Sequence, residues 1–489
     1  MALSKDIYQA FEDVVGKEYI CDDPAIMPAY HSAELAAVIL PKNTAEVQAI
    51  VKLCNKFKLK FRAVCTGWTG MFPKGIIYLD LRRMNRIIEI NEKNMYAVVE
   101  PYVISAQLQA ELFKRGLNCN IKGAGSNCTA LLRGHGHMDQ TTSGDDRNHL
   151  AVEWVTPEGE IVRLGSLGSS DEWFCGDGPG PSLRCLISSA VPPGVTPGVF
   201  TKVAMKLYHW PGPPRFPITG VSPNYTLSEI PPGFMVRYFS FPSPEKMYEA
   251  ELKIGESEIA FELMGFNMSM VAANITTCNE EEAEVFGRLN KLVQGPGFMV
   301  IIAGNSPEDF DYKKRVLEQI ISETDGQSLK PVEDPKIEGV LLCQCIRISA
   351  SIRETFRAGG VFNSIPVMGQ RDLTLKWMLG AARAKEPLIS KGLIVDDGAA
   401  GFGWGVEHGH LGKTEIFCRY DRLNPEAVKA VQEWQREQTK RAFDGRFFAS
   451  TMGPIDEIGP ALSNYHIWLR KVQKALDPND VSPAGGALV

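Results

Sequence analysis

An α+β chain of more than one domain is predicted by three features of the sequence. Between Pro41 and Pro101 a capped helix is followed by short strands and a small-residue loop. Between Ala151 and Leu164 two apolar runs flank Pro157-Glu158-Gly159, as the arms of a hairpin would. At Trp210-Pro211-Gly212-Pro213-Pro214 the composition breaks, because a run of prolines continues neither a helix nor a strand. At 489 residues the chain also exceeds the size at which a single core stops growing.

The elements follow in order. Residues Asp6 to Val15 read as a helix. Asn43 with Glu46 forms a helix start, and Val47, Ile50, Val51 and Cys54 then make one apolar stripe at helical spacing. A strand from Lys60 to Val64 leads into Cys65-Thr66-Gly67-Trp68-Thr69-Gly70, a turn whose closely spaced N–H groups and hydroxyls suit a pyrophosphate. Apolar runs at Ile76 to Leu79 and Tyr96 to Glu100 complete that unit, which points to a bound flavin dinucleotide. Leu108 to Gly116 reads as a helix with a glycine stop. The hairpin arms are Ala151 to Thr156 and Glu160 to Leu164, and two separate sheets are expected before residue 210. Beyond the proline run, the strand Phe234 to Phe241 and the helices Pro244 to Ile254 and Tyr312 to Thr324 describe an antiparallel sheet with helices. The Glu-, Gln-, Lys- and Ala-rich region 425–445 reads as a solvent-facing helix.

Composition narrows the function. Hydrophobic residues at 44% and charged residues at 22% are ordinary for a globular protein. A net charge of -6 argues against nucleic-acid binding, which needs a concentrated basic face. No run reaches the roughly 18 apolar residues of a membrane span, and no signal-peptide core follows Met1 to Asp6. A cytoplasmic location is expected, with membrane attachment only through partners. The 11 cysteines are odd in number and lack a C-x-x-C pair, as reduced thiols would. Cys343 and Cys345 share a face only if their segment is a strand, and packing is their expected role.

These motifs resemble the flavin oxidoreductase superfamily that includes vanillyl-alcohol oxidase, p-cresol methylhydroxylase (PCMH), and the glycolate and D-lactate dehydrogenases. The likeness runs from Pro41-Lys42-Asn43-Thr44-Ala45-Glu46-Val47 to Ala475-Leu476-Asp477-Pro478-Asn479. It implies a two-part PCMH-type FAD-binding domain over residues 1–213, with its core at about 41–210. An α+β cap domain with an antiparallel sheet would cover 214–464, and 465–489 would return to the FAD domain. The first phosphate loop of the family matches Thr66, Gly67, Trp68, Thr69 and Gly70, with Trp68 standing where glycine is usual. A further family segment, lying across the flavin, resembles Gly123 to Thr129, including Gly125, Ser126 and Thr129, and then Gly134-His135-Gly136. The third resembles Thr142-Ser143-Gly144, and the fourth is Gly194 to Thr201, in which Gly198 and Val199 would meet the cofactor through backbone atoms. Members that tether flavin on the first loop use a histidine. Thr69 stands there, so the resemblance implies dissociable FAD, with His135 and His137 as other conceivable anchors.

Flavin dehydrogenation needs a base for the substrate proton. Gly403-Trp404-Gly405-Val406-Glu407-His408-Gly409-His410-Leu411-Gly412 is the densest polar cluster of the cap, and Glu407, His408 and His410 are its catalytic candidates. In the hydroxy-acid branch a Gly-His segment leads to a second, metal-binding histidine seven residues on. Here His410 matches the first and Phe417 stands at the second, so no metal is assigned, although Glu407, His408, His410 and Glu415 are close in sequence. On a strand, His408 and His410 would face one side and Glu407 the other. Arg347, Arg353 and Arg357 offer carboxylate anchors or a solvated face. Tyr465, beside His466 at the C-terminal return, offers a phenol to polarise the substrate or simply packs. The expected activity is FAD-dependent oxidation of a C–OH or activated C–H bond in a small 2-hydroxy acid or aromatic alcohol. The competing class is a flavin-carrying electron-transfer subunit of a homo- or hetero-oligomer. Its separate iron–sulfur or cytochrome partner would have to be another chain, since no cluster motif or C-x-x-C-H is present.

Overall fold

A computed structural model of the chain describes residues 3–30, 34–66, 74–122, 129, 136–137, 148–165, 197–221, 224–293, 295–348, 361–406, 408–445, 447–449 and 464–482. The helix Thr44–Phe57 starts as its cap demands. The Asn43 side chain accepts the Glu46 N–H, and the Glu46 carboxylate in turn accepts the Lys42 N–H at 2.9 Å. Its predicted stripe of Val47, Ile50, Val51 and Cys54 is fully buried, packed with Phe11 of the helix Lys5–Val15 and with strand residues of the first sheet.

That sheet has the order β1–β2–β4–β3, from β1 (Ile20–Cys21), β2 (Ala37–Ile39), β3 (Phe61–Val64) and β4 (Ile77–Asp80). Strands β2, β4 and β3 run parallel. A second sheet, antiparallel, contains β5 (Ile87–Asn91) and β6 (Tyr96–Val99). The short strands β7 (Leu117–Asn118), β8 (Ile121–Lys122) and β9 (Gly136–His137) come next in the chain. Then β10 (His149–Val155), β11 (Ile161–Gly165) and β12 (Val199–Lys206) complete the second sheet in the order β11–β10–β12–β6–β5. The run at Tyr96 therefore belongs to this sheet and not to the phosphate-loop unit. A tight turn with Met95 at φ 56° folds it back on β5, a shorter closure than crossing to the parallel strands. The β10–β11 hairpin forms as read, Val155 opposite Ile161, with Gly159 at φ 83° in the turn. Buried Glu153 on β10 ties the two layers together, accepting the Thr44 hydroxyl at 2.8 Å and the Thr201 hydroxyl at 3.1 Å and pairing with Lys202 at 3.0 Å.

After β13 (Tyr208–His209) the chain passes the proline run, where buried Trp210 stacks on Phe113 at 4.0 Å. A small hairpin of β14 (Ile218–Val221) and β15 (Asn224–Leu227) follows. Next come β16 (Phe234–Ser240), β17 (Ala260–Met264), β18 (Gly297–Ala303) and β19 (Gln327–Ser328), in the order β17–β18–β16–β19. The last strands are β20 (Val361–Gln370), β21 (Phe402–Val406), β22 (Leu411–Tyr420) and β23 (Phe448–Ala449), in the order β21–β22–β20–β23. These two antiparallel sheets join edge to edge. Gly265 donates its N–H to the Gly403 carbonyl at 2.8 Å, and Gly403 donates back at 3.4 Å. The seam requires glycine, because a Cβ on Gly265 would lie 2.2 Å from the Gly403 oxygen.

One face of this joined sheet is covered by the helices Pro244–Ser257, Pro307–Glu323, Arg371–Arg383 and Pro425–Asp444. The composition of the last predicts a solvent-facing helix, yet Ala427, Val431, Trp434, Gln438 and Ala442 form a buried stripe one turn apart. The other face, with Phe261, Met264 and Phe417, clusters with the helices Met268–Ile275 and Pro335–Cys343 and with Phe113 and Trp210 of the amino-terminal half. Cys343 ends a helix and Cys345 sits in the π-turn Gln344–Ile348, so they share no strand face, and both are buried by packing.

Residues 477–482 return to the first sheet. After the helix Tyr465–Leu476, the Asp477 carboxylate accepts the N–H groups of Val481 at 3.0 Å and Ser482 at 2.8 Å. Val481 is buried in the first core, and its carbonyl accepts the Phe61 N–H at 2.8 Å. Among the described residues, no helix is long and apolar enough to cross a membrane.

Candidate functional site

In parallel sheets the ligand crevice lies beyond the carboxyl ends of the strands. Val64 of β3 pairs with Asp80 of β4, so Cys65-Thr66 and Leu81-Arg82 leave the sheet side by side. The Cys65 thiol donates to the Pro101 carbonyl at 3.3 Å and also hydrogen-bonds the Thr129 side chain. Burial, moderated by that Thr129 bond, pushes this thiol up to about 12, so it stays protonated. Thr129 is itself buried and bridges Ile104 through its backbone. Cys65 thus clasps the first candidate phosphate segment to the second. Beside it, buried Asp80 accepts the Arg82 N–H at 3.0 Å and its Nε–H at 2.6 Å, which pre-orients a half-exposed guanidinium 5.7 Å over the Tyr30 ring. Sequence reading missed both residues of that pair, since only the register of β3 against β4 puts them at this edge.

Gly198 has φ 85° and gives its N–H to the Ser482 hydroxyl at 2.7 Å. A Cβ there would lie 2.4 Å from the Val155 carbonyl oxygen and 2.5 Å from Trp154 Nε1. Val199 is buried opposite Val155, so only its backbone is left to meet a ligand. Of the other cofactor candidates, Thr66 is described and exposed at the end of β3. Gly67, Trp68, Thr69, Gly70, Gly125, Ser126, Gly134, His135, Ser143 and Gly144 lie outside the described residues. The segment carrying Gly125, Ser126, Gly134 and His135 runs between β8 and β9, which pair as Ile121 with His137, and β9 lies against β17 of the second half.

The histidines are not where a strand would put them. His408 and His410 belong to the turn between β21 and β22, because His408 at φ 62° and Gly409 at φ 88° close that hairpin. His408 Nε2 lies 3.0 Å from Glu258 Oε1, both side chains open to solvent. The turn rests on the helix Pro244–Ser257, so closely that a Cβ on Gly255 would be 2.0 Å from the His408 oxygen. His410 is exposed, and its carbonyl accepts the Arg371 N–H at 3.4 Å. Both therefore sit at the end of the sheet against its helix layer, apart from Glu415. Glu407, Arg353 and Arg357 lie outside the described residues. Arg347 falls in the π-turn and Tyr465 opens the last helix, and the side chains of both are outside the described residues. Among the described residues, no three His, Cys, Asp or Glu side chains group to hold a metal.

The opposite face of the sheet carries a different cluster. Along β22 side chains alternate, and Ile416 and Cys418 enter the helix-side core. Lys413, Glu415 and Phe417 therefore point the other way, Phe417 into the cluster that contains Phe113 and Trp210. Register brings Ser364 opposite Phe417, Met368 opposite Lys413, and Phe402 opposite Glu415. The Ser364 hydroxyl donates to Glu415 Oε1. Lys413 Nζ lies 3.7 Å from Glu415 Oε2, and each of these two side chains is 14% exposed. Phe402 and Phe417 meet edge to face at 5.7 Å. In the sequence Glu415 stands out only as a neighbour of the histidines, and Ser364 and Lys413 do not stand out at all.

Comparison with known proteins fits this geometry. Residues 35–165 match the family model described as FAD binding domain. The chain is 30% identical over 172 residues to 1'-carboxy-chondrochloren decarboxylase of Chondromyces crocatus, covering 32% of each protein. It is 28% identical over 208 residues to the 4-cresol dehydrogenase [hydroxylating] flavoprotein subunit of Pseudomonas putida, covering 39% of this chain and 38% of that one. The matches therefore span well under half the length of these relatives. The solved structure of p-cresol methylhydroxylase with substrate bound superposes with a TM-score of 0.75 at 15% identity, over 99% of this chain and 96% of the other. Residues 35–165 thus match an FAD binding domain, and the chain as a whole has the fold of p-cresol methylhydroxylase.

Proposed function

We propose that this protein is an FAD-dependent dehydrogenase or oxidase that oxidises a C–OH or activated C–H bond of a small organic molecule by hydride transfer to flavin N5. One pairing carries the reading: an FAD binding domain lies packed, through Phe113 with Trp210 stacked on it, against the sheet face that bears Ser364, Lys413 and Glu415. The division into 1–213, 214–464 and a returning 465–489 goes with it, supported by the contacts of Val481 and Ser482.

The residues present fit the cofactor. Thr66, Thr129, Arg82 and the backbone at Gly198 would hold FAD, and the missing Cβ at Gly198 lets the main chain come close. FAD, when bound, supplies the two-electron acceptor. Thr69 in place of a tethering histidine supports a dissociable cofactor. Of the two substrate classes, the aromatic alcohol is favoured. Phe417 stands where a metal-binding histidine would serve a hydroxy acid, and Lys413 on the same face is engaged by Glu415 rather than held ready for a substrate carboxylate. A second reading, an electron-delivering subunit with a separate acceptor protein, draws on the relative that is itself a flavoprotein subunit. Purification from the source with a stoichiometric iron-containing companion would favour it. A cytoplasmic location completes the proposal.

Recombinant protein should be yellow, and acid should release its flavin into the supernatant. Under anaerobic conditions benzylic alcohols or phenols should bleach the flavin absorbance. A folded, colourless protein that takes up no FAD in a titration would falsify the reading.

A further inference from the structure

We propose that Glu415 is the proton acceptor of this reaction and that Ser364 and Lys413 are its positioning residues, an assignment that rests on the FAD-linked oxidation argued above. Oxidising an alcohol breaks two bonds at once. The C–H bond leaves with both its electrons as hydride to the flavin. The O–H bond breaks with its proton passing to a base, and the carbon–oxygen double bond forms from the electrons left on oxygen. The chain must therefore present a carboxylate or imidazole with a free lone pair where the substrate lies.

Several buried carboxylates of the second half are held by a cation within 3.0 Å, closer than any cation comes to Glu415. Arg371 takes both oxygens of Glu251, Arg419 pairs with Glu282, Arg237 with Glu338, and Lys385 with Asp397. Glu415 differs in three ways. Its Oε1 is fixed by the Ser364 hydroxyl. Its Oε2 faces Lys413 at 3.7 Å, an ion-pair distance too long for a hydrogen bond, so that oxygen keeps a lone pair. It stands among Phe402, Phe417 and Met368 on the face turned toward the amino-terminal half, where aromatic walls suit a substrate ring. Ser364 reaches Glu415 from the neighbouring strand, so β20 and β22 fix the carboxylate from two sides.

The test uses the FAD-loaded enzyme with benzyl alcohol, 4-hydroxybenzyl alcohol and D-lactate as probes, followed anaerobically by flavin bleaching. Glu415→Gln keeps the shape and removes the base. It should slow bleaching about a hundredfold or more. Its FAD dissociation constant should stay within about threefold of the parent, because no cofactor contact is removed. Glu415→Asp should recover part of the rate, and Ser364→Ala should lose roughly tenfold. A structural ion pair would instead lower the melting temperature of all three variants and leave bleaching intact. Binding of 4-hydroxybenzaldehyde, read from the flavin difference spectrum, reports the same place without turnover, and Glu415→Gln should weaken it about tenfold. Bleaching and aldehyde binding both unchanged in Glu415→Gln would overturn the assignment. So would a yellow parent protein that neither bleaches with any probe nor binds the aldehyde. A parent that takes up no FAD would instead sink the oxidoreductase reading beneath it.

Discussion

At the level of single residues, absent or misplaced side chains say most. Gly198 combines a left-handed backbone with two contacts that no Cβ survives. Gly198→Ala should therefore cost about 1–3 kcal/mol in urea denaturation and weaken FAD at the same time. Unchanged denaturation would show that the backbone there is not constrained. His408 gives the opposite expectation. Its contact with Glu258 is open to solvent, and exposed pairs of this kind contribute ~1 kcal/mol at most. His408→Ala should leave the rate of flavin reduction within about twofold of the parent, whereas a loss near a hundredfold would return this residue to the chemistry. Two histidines one residue apart draw a reading of the sequence to this turn. Glu415 enters that reading only as a neighbour of those histidines, because Ser364 reaches it from 51 positions away.

Between elements, two buried carboxylates tie layers together in different ways. Arg371 opens a helix directly after β20 and takes both oxygens of Glu251, at 2.6 and 2.7 Å, on the helix beside it. Replacing Arg371 with Met leaves Glu251 charged and dry, at a cost of about 3–5 kcal/mol, and adding Glu251→Leu should restore most of that loss. A double variant no more stable than the single would place the loss elsewhere, in packing. Glu153 joins a helix cap to β12. Burial alone would raise its pKa, but hydrogen bonds from Thr44, Lys202 and Thr201 outweigh burial and hold it below the ordinary carboxylate value. Its contribution is thus complete above the unfolded value of about 4.3 and vanishes as pH falls through the folded one. Melting temperatures across the acid range should drop less steeply in Glu153→Gln than in the parent. Local signals of this kind are legible in the sequence: the Asn43–Glu46 cap and the Gly159 hairpin appear where their residues predict them. The sheet that receives Tyr96–Val99 is not, nor is the buried side of the helix Pro425–Asp444, because both depend on partners distant in sequence.

For the molecule as a whole, residues far apart in the chain, Phe11 and Val481 among them, share one core. Val481 accepts from Phe61, Ser482 receives Gly198, and Asp477 fixes both by their N–H groups. Removing residues 477–489 should lower the melting temperature and abolish tight FAD binding even though it leaves every candidate phosphate-loop residue in place. A truncated protein that stays as stable and as yellow would refute this. The same closure bears on biosynthesis. A ribosome delivers Val481 and Ser482 long after the candidate phosphate-loop region has left the exit tunnel. The first core must therefore wait, unfinished and in need of protection, until these residues have been made, and any vitamin capture that depends on it comes after them.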